Sequence, residues 1–275
     1  MDYTTLHVEQ HGRVSRITLN RPQVRNAQSR VMLEELDGAL QEAAGDDTVR
    51  VIIIAGAGDH FCAGHDLGSP QEKADAEQRT PASWEERYLL WRELYLESTL
   101  RWRNLPKPMI AQVQGYCIMG GVMLALACDF IICADDARFA CRAVRWGASS
   151  EQYLALPWAI GVPQAKQYLF TGDDISAEVA LRSGLVNEMV PREELEDHTM
   201  RLAQQIALQD PFALRMAKEA CNAVLDIQGQ RSHLHQAFLS WAVSGTRPAV
   251  AERMETEEEL PVTEQIRRRD EKFGG

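Results

Sequence analysis

This chain has no CxxC pair, no long apolar run and little positive charge, and each absence removes a class of protein. Its six cysteines are Cys62, Cys117, Cys128, Cys133, Cys141 and Cys221. None sits near a histidine at a zinc-finger spacing, so no metal centre is expected. Most lie in apolar stretches, where free cysteine behaves as a small hydrophobe, and a disulfide framework is not expected. No apolar run approaches the roughly 18 to 20 residues of a membrane helix. The opening Met1-Asp2-Tyr3-Thr4-Thr5 has no basic segment leading into an apolar one and does not read as a signal peptide. The expectation is a cytoplasmic protein with no membrane partner. Lysine and arginine total 29 against 40 acidic residues, a formal charge of −11. That balance argues against the basic surface on which nucleic-acid binding relies.

What is present is an ordinary globular composition, 45% apolar over 275 residues, enough to fill a core. Leu6-His7-Val8-Glu9 and Val14 to Leu19 alternate around His11-Gly12-Arg13, which predicts a hairpin. Val31, Leu33, Leu36, Leu40 and Ala43 approximate helical spacing, and Gly45-Asp46-Asp47 ends that helix. Val49 to Ala55 is apolar and β-branched enough for a strand buried on both faces, as are Met109 to Val113 and Asp129 to Ala134. An apolar helix from Val122 to Cys128 lies between the last two. Gly68 to Ala82 is polar and turn-rich and reads as a mobile loop. Ser83 to Arg103 reads as a helix whose aromatic stripe packs on the core or walls a pocket. From Pro163 onward helices dominate, with a helix start at Ile175 to Glu178 and a short strand within Gly184 to Val190. No Pro/Ser-rich linker divides the chain. The strand–loop–helix rhythm predicts an α/β fold with right-handed crossovers, a core over 1–195 and a helical region over 196–275.

Two glycine loops follow buried strands: Phe61-Cys62-Ala63-Gly64-His65-Asp66-Leu67, and Gly115 to Gly120-Gly121. Neither fits G-x-G-x-x-G or a Walker loop. Glycines at such junctions let backbone approach a ligand, and two loops converging could aim two N–H groups at one oxygen. The plainer alternative is that they make tight turns.

The first loop resembles the F-(C/S)-A-G-x-D-(L/I) loop of the crotonase (enoyl-CoA hydratase/isomerase) family. Gly115 to Gly121, ending in Ala127-Cys128-Asp129, resembles its G-x-x-x-G-G…CD segment. Leu19-Asn20-Arg21-Pro22 with Asn26-Ala27, and Phe170-Thr171-Gly172 with Gly184-Leu185-Val186, match further family motifs in order, over about Thr5 to Ala223. The resemblance implies a spiral of ββα units with a helical C-terminal trimerisation region, assembling as a homotrimer or hexamer. It also implies an acyl-CoA substrate and no separate cofactor, because CoA is part of the substrate. By position, the thioester oxygen would lie between the backbone N–H groups of His65 and Gly120. Ala63, Asp66 and Leu67 would lie along the CoA, with Arg25 and Lys272 as phosphate partners. For His65 that role needs only the backbone; acid/base work by its imidazole is the further option.

The resemblance breaks where hydratases of the family carry two glutamates, because Met123 and Ala143 stand there and neither transfers a proton. Glu151 is the remaining carboxylate candidate, at a place where dienoyl-CoA isomerases and a benzoyl-CoA dehalogenase of the superfamily carry a catalytic aspartate. Either it is desolvated and moves a proton or attacks as a nucleophile, or it is exposed or paired with Arg142 or Arg145. Cys141 has no marker of a lowered pKa. Asp129 reads as structural, and His233 and His235 as surface or packing residues. Three functions stay open: enolate chemistry as an isomerase or atypical hydratase; hydrolysis, decarboxylation or dehalogenation in the same site; and acyl-CoA binding without catalysis.

Overall fold

Alternation decides the first two strands. Leu6–His11 (β1) and Val14–Leu19 (β2) pair antiparallel, with Leu6 opposite Leu19. The computed structural model describes residues 3–248, 250, 260 and 262–273. Arg30–Gly45 (α1) starts on Ser29, whose hydroxyl accepts the Met32 N–H at 3.2 Å, and buries Met32, Leu33, Leu36, Ala39, Leu40 and Ala43. Val51–Gly56 (β3) is buried at every position, as its β-branched run predicts.

The polar stretch after it is not the loop its composition suggests. It holds a helix, Pro70–Arg79 (α2), without one buried residue. Its ends explain it: Ser69 caps the Glu72 N–H, Pro70 opens the first turn, and Arg79 reaches back to Asp75. The aromatic helix predicted over 83–103 is Trp84–Trp91 (α3), a π-helical segment Arg92–Glu97, and Ser98–Arg103 (α4). The Ser98 and Thr99 hydroxyls donate to the Leu94 and Tyr95 carbonyls at 2.5 and 2.8 Å, beside that wider turn. Most of the aromatic stripe packs as core: Trp102 is buried, and Tyr88, Trp91 and Tyr95 lie against Leu96, Leu100 and Phe238, whereas Trp84 at its start is exposed.

Met109–Val113 (β4), Tyr116–Ile118 (β5) and Gly120–Ala127 (α5) come next, then Phe130–Ala134 (β6) and Arg138–Ala140 (β7). Leu156–Ile160 (α6), Val162–Thr171 (α7), Ile175–Ser176 (β8), Ala177–Ser183 (α8) and Glu188–Val190 (β9) follow. The helix start expected over Ile175 to Glu178 is present, with Ser176 capping α8 through the Val179 N–H, and a two-residue strand, β8, leads into it. Leu195–Ala207 (α9), Pro211–Ile227 (α10), Gln230–Gly245 (α11) and a helix Val262–Glu271 complete the described chain. The large sheet runs β1-β2-β3-β4-β6-β9 and is parallel from β2 onward; the small one runs β5-β7-β8. Twice the chain gives one strand to the large sheet and the next to the small one, β4 then β5 and β6 then β7. That is the expected ββα spiral. One face of the large sheet is covered by α9, where Leu195, Ala203 and Ala207 meet Val51, Ile53 and Ile110. Asp129 ties α10 to the sheet, accepting from the Met109 N–H and from Lys218, both at 2.8 Å. Among the described residues no helix is long and apolar enough to cross a membrane.

Candidate active site

The loop 61–67 is laced between two other segments. On one side the Ala63 N–H donates to Arg25 O, the Gln28 N–H to Gly64 O at 2.8 Å, and the Asp66 N–H to Gln28 O at 2.9 Å. On the other, the Cys62 N–H donates to Tyr116 O and Cys62 O accepts from the Ile118 N–H, both at 2.9 Å. In a parallel bridge only one residue of the pair directs its N–H and C=O at the partner strand. Gln28 is that residue in the Gln28–His65 bridge. The His65 N–H therefore does not face Gln28.

Gly120 packs against this loop. It opens α5, so its N–H is among the first-turn donors that have no partner within the helix. Met119 before it has φ 51° and ψ −110°, an unusual backbone for a residue with a side chain. It is pinned there: its N–H donates to Ala140 O at 2.8 Å, and its Sδ accepts from the Arg142 N–H at 3.1 Å. The two loops touch through glycine. A Cβ on Gly64 would lie 3.5 Å from the Gly120 nitrogen, and one on Gly120 would lie 2.8 Å from His65 Cε1. Gln28 bolts them together, its Nε2 donating to Gly120 O at 3.1 Å.

Asp66 holds the far end of the first loop. Its carboxylate pairs with Arg21 at 2.8 Å with both side chains buried, and accepts the Ser69 N–H at 2.7 Å. Burial pushes its pKa up, but the bonds from Ser69, Gly68 and Arg21 outweigh burial and hold it below the usual range. The side chain of Asp66 is thus engaged within the protein. Removing Arg21 alone leaves a buried unpaired carboxylate, so Arg21→Leu is expected to cost about 3–5 kcal/mol in a urea melt. A loss under 1 kcal/mol would mean that the pair does not brace the loop.

Glu151 is buried, 2% exposed, and its Oε1 has no hydrogen-bond partner. Arg142 pairs instead with Asp174 and Asp270, and Arg145 with Asp173 and Asp270. The exposed or arginine-paired arrangement of Glu151 is therefore not the one adopted. Desolvation pushes its pKa up to about 7, against a partial lowering by the Cys141 thiol beside it. Burial, followed by the Glu151 charge, drives the Cys141 thiol far above the ordinary thiol range, so it is no thiolate nucleophile. Glu151 is tied to both loops by its neighbours. Gln152 Oε1 is 3.2 Å from His65 Nε2, and Cys141 lies between the two residues that grip Met119. Met123 sits in an apolar cluster with Leu96, Leu100 and Tyr153, and Ala143 is buried at the start of a short 3₁₀ turn.

Arg25 is exposed, with φ 54°, and its guanidinium lies over the Tyr116 ring at 5.7 Å. Ala63 is half-buried and Leu67 is 53% exposed. Lys272 is exposed just after the helix Val262–Glu271, whose Asp270 is bound by Arg142 and Arg145. His233 accepts a hydrogen bond from the Trp158 indole at 3.0 Å, a packing role. Sequence reasoning missed Gln28 and the grip on Met119, which carry no motif signal of their own; Gln152 it placed near the acyl end without its bond to His65. Arg21 it placed in a motif without seeing its partner. Two glycine loops in contact, together with a buried carboxyl group of raised pKa, are groups that proton transfer next to a polarised carbonyl can use.

The model of the enoyl-CoA hydratase/isomerase family matches residues 9–240. A crystal structure of a probable enoyl-CoA hydratase from Mycobacterium smegmatis is 41% identical, with 91% of this chain and 96% of that one covered and a TM-score of 0.81. That of an enoyl-CoA hydratase/isomerase from Xanthobacter autotrophicus Py2 is 33% identical over 100% of both chains, with a TM-score of 0.90. A hydroxycinnamoyl-CoA hydratase-lyase of Pseudomonas fluorescens is 34% identical over 78% of this chain and 77% of its own.

Proposed function

This chain belongs to the enoyl-CoA hydratase/isomerase family, and from that premise we propose that it is an acyl-CoA enzyme that shifts protons through an enolate. The thioester oxygen is held between the N–H groups of His65 and Gly120. Glu151, as carboxylate, takes a proton from the acyl chain; the bonding pair moves into the enolate, whose oxygen the two N–H groups stabilise. The resulting carboxylic acid returns the proton to another carbon of the conjugated system, and the double bond has moved. No water and no second reactant are consumed. The N–H pair supplies about 3 kcal/mol per donor to the developing oxyanion. Arg25 and Lys272 supply local positive charge for the CoA phosphates against a net charge of −11.

The observation that carries this reading is the buried Glu151 with an unpartnered Oε1, where Met123 and Ala143 offer no proton carrier. It favours isomerisation over the two-glutamate hydration. The test is a panel of crotonyl-CoA, a 3-enoyl-CoA, a dienoyl-CoA and an aryl-CoA, each with wild type and Glu151→Gln. Expected is double-bond migration in the 3-enoyl or dienoyl substrate, reduced about 10²–10⁴-fold by the substitution. Tight thioester binding without turnover of any compound would instead make the protein a non-catalytic acyl-CoA binder. Turnover untouched by the substitution would remove Glu151 from the reaction.

A further inference from the structure

Proton transfer as proposed uses only the backbone of His65, yet its imidazole is held on three sides. The ring lies on Tyr95 with centroids 4.1 Å apart. Tyr95 is presented from the π-helical segment Arg92–Glu97, and helices of that kind recur at functional sites. Nε2 is 3.2 Å from Gln152 Oε1. The remaining edge faces Gly120 and the Gln28 amide: a Cβ on Gly120 would touch Gln28 Oε1 and lie 2.8 Å from Cε1 and 3.0 Å from Nδ1.

These contacts fix the tautomer. Desolvation lowers the imidazole pKa to about 4, against an opposing bond from Gln152, so the ring is neutral at ordinary pH. Gln152 offers an oxygen, and Nε2 therefore carries the hydrogen and donates it. Nδ1 is left as a lone-pair acceptor. It is buried and has no hydrogen-bond partner among the described residues. A buried acceptor left unpaired is unfavourable, and a ligand donor would remove that penalty.

We propose that the His65 imidazole is a specificity residue whose Nδ1 accepts a hydrogen bond from a hydroxyl on the first carbons of the acyl group, so that the site selects a hydroxyacyl thioester over the unsubstituted one. This rests on the thioester reading above: with the thioester oxygen at the His65 and Gly120 N–H groups, the adjacent acyl carbons are the ligand atoms nearest the Gly120-facing edge. A ring present only for packing would need neither Gln152 nor a nitrogen, and phenylalanine would serve as well.

Calorimetric titration of the full chain with butanoyl-CoA, 2-hydroxybutanoyl-CoA and 3-hydroxybutanoyl-CoA tests this. One hydroxyacyl ligand is expected to bind about tenfold tighter than butanoyl-CoA, the effect of one hydrogen bond to a buried group. In His65→Phe, which keeps a ring against Tyr95, and in Gln152→Leu, which keeps His65 but frees its tautomer, that ratio is expected to fall to about one. Equal binding of all three ligands by the wild type, or an unchanged ratio in either variant, overturns the proposal. Failure of all three to bind overturns the thioester reading with it.

Discussion

Glu151→Gln is expected to slow turnover about 10²–10⁴-fold and, above pH 7, to raise the melting temperature of the same protein. Both effects follow from one buried group. The carboxyl group of Glu151 has a pKa of about 7 in the folded chain against 4.5 when free, because burial disfavours its charged form. Below pH 4.5 it is protonated in both states and costs nothing. Between pH 4.5 and 7 the unfolded chain releases the proton first, so stability falls as pH rises. Above pH 7 the loss is complete, on the order of 3 kcal/mol. Glutamine is neutral throughout and escapes it. For a chain of this size the gain amounts to several degrees at pH 8, with little difference near pH 4. Activity has the opposite dependence. A proton-abstracting carboxylate requires the wild-type rate to rise with pH through about 7. Scanning calorimetry at pH 4 and 8, with a pH–rate profile, reads both; equal melting temperatures at pH 8 would show that Glu151 is not desolvated.

The sequence left Glu151 between two arrangements, and what separates them is distant in the chain. Arg142 and Arg145 lie close to Glu151 in sequence, so local reasoning pairs them with it. Their acidic partners are Asp173, Asp174 and Asp270, brought in by α7 and by the helix Val262–Glu271. No spacing rule announces a competition of that kind. The two loops were legible for the contrary reason. Their chemistry is backbone chemistry, and glycine at a close approach leaves its mark in the sequence itself.

The core was similarly open to reading. β3 and β4 are apolar at nearly every position because both faces of a parallel sheet are covered, and that pattern is visible in one dimension. α2 was missed because a search for apolar periodicity cannot see a helix that buries nothing. Its signal was in the ends, Ser69-Pro70 with Glu72 and the Asp75–Arg79 spacing. The same loop-to-helix junction hides the Arg21–Asp66 pair, whose members are far apart in sequence and share Ser69, the cap of α2, as a partner. Gln28 and the partner of Gln152 were invisible in a stricter sense: an amide side chain has no preferred spacing to its partner, and only the folded loops show what each one grips.

Gly64→Ala and Gly120→Ala are expected to damage the protein in different ways, although both put one methyl group into the same junction. At Gly64 the backbone has φ +97°, a conformation that a side chain disfavours, and the new Cβ would stand 2.9 Å from the Ile118 carbonyl oxygen. Neither penalty can be relieved by a rotamer change, because the obstruction is backbone belonging to β5, which is paired with β7. Strain and overpacking together set a loss of roughly 2–5 kcal/mol. At Gly120 the new Cβ would run into Gln28 Oε1 and meet His65 Cε1 at 2.8 Å, which are both side chains. They can yield, so the stability loss is smaller, about 1 kcal/mol. Yielding breaks the Gln28 bond to Gly120 O and displaces the imidazole. A misplacement of about 1 Å costs around a hundredfold in rate. Gly120→Ala should therefore fold and bind or turn over thioesters poorly, whereas Gly64→Ala should lose urea resistance as well. Comparable urea midpoints for the two variants would mean that the first loop is free to move away from β5. The close packing of loops here taken to aim two N–H groups at one oxygen would then not be what fixes their direction.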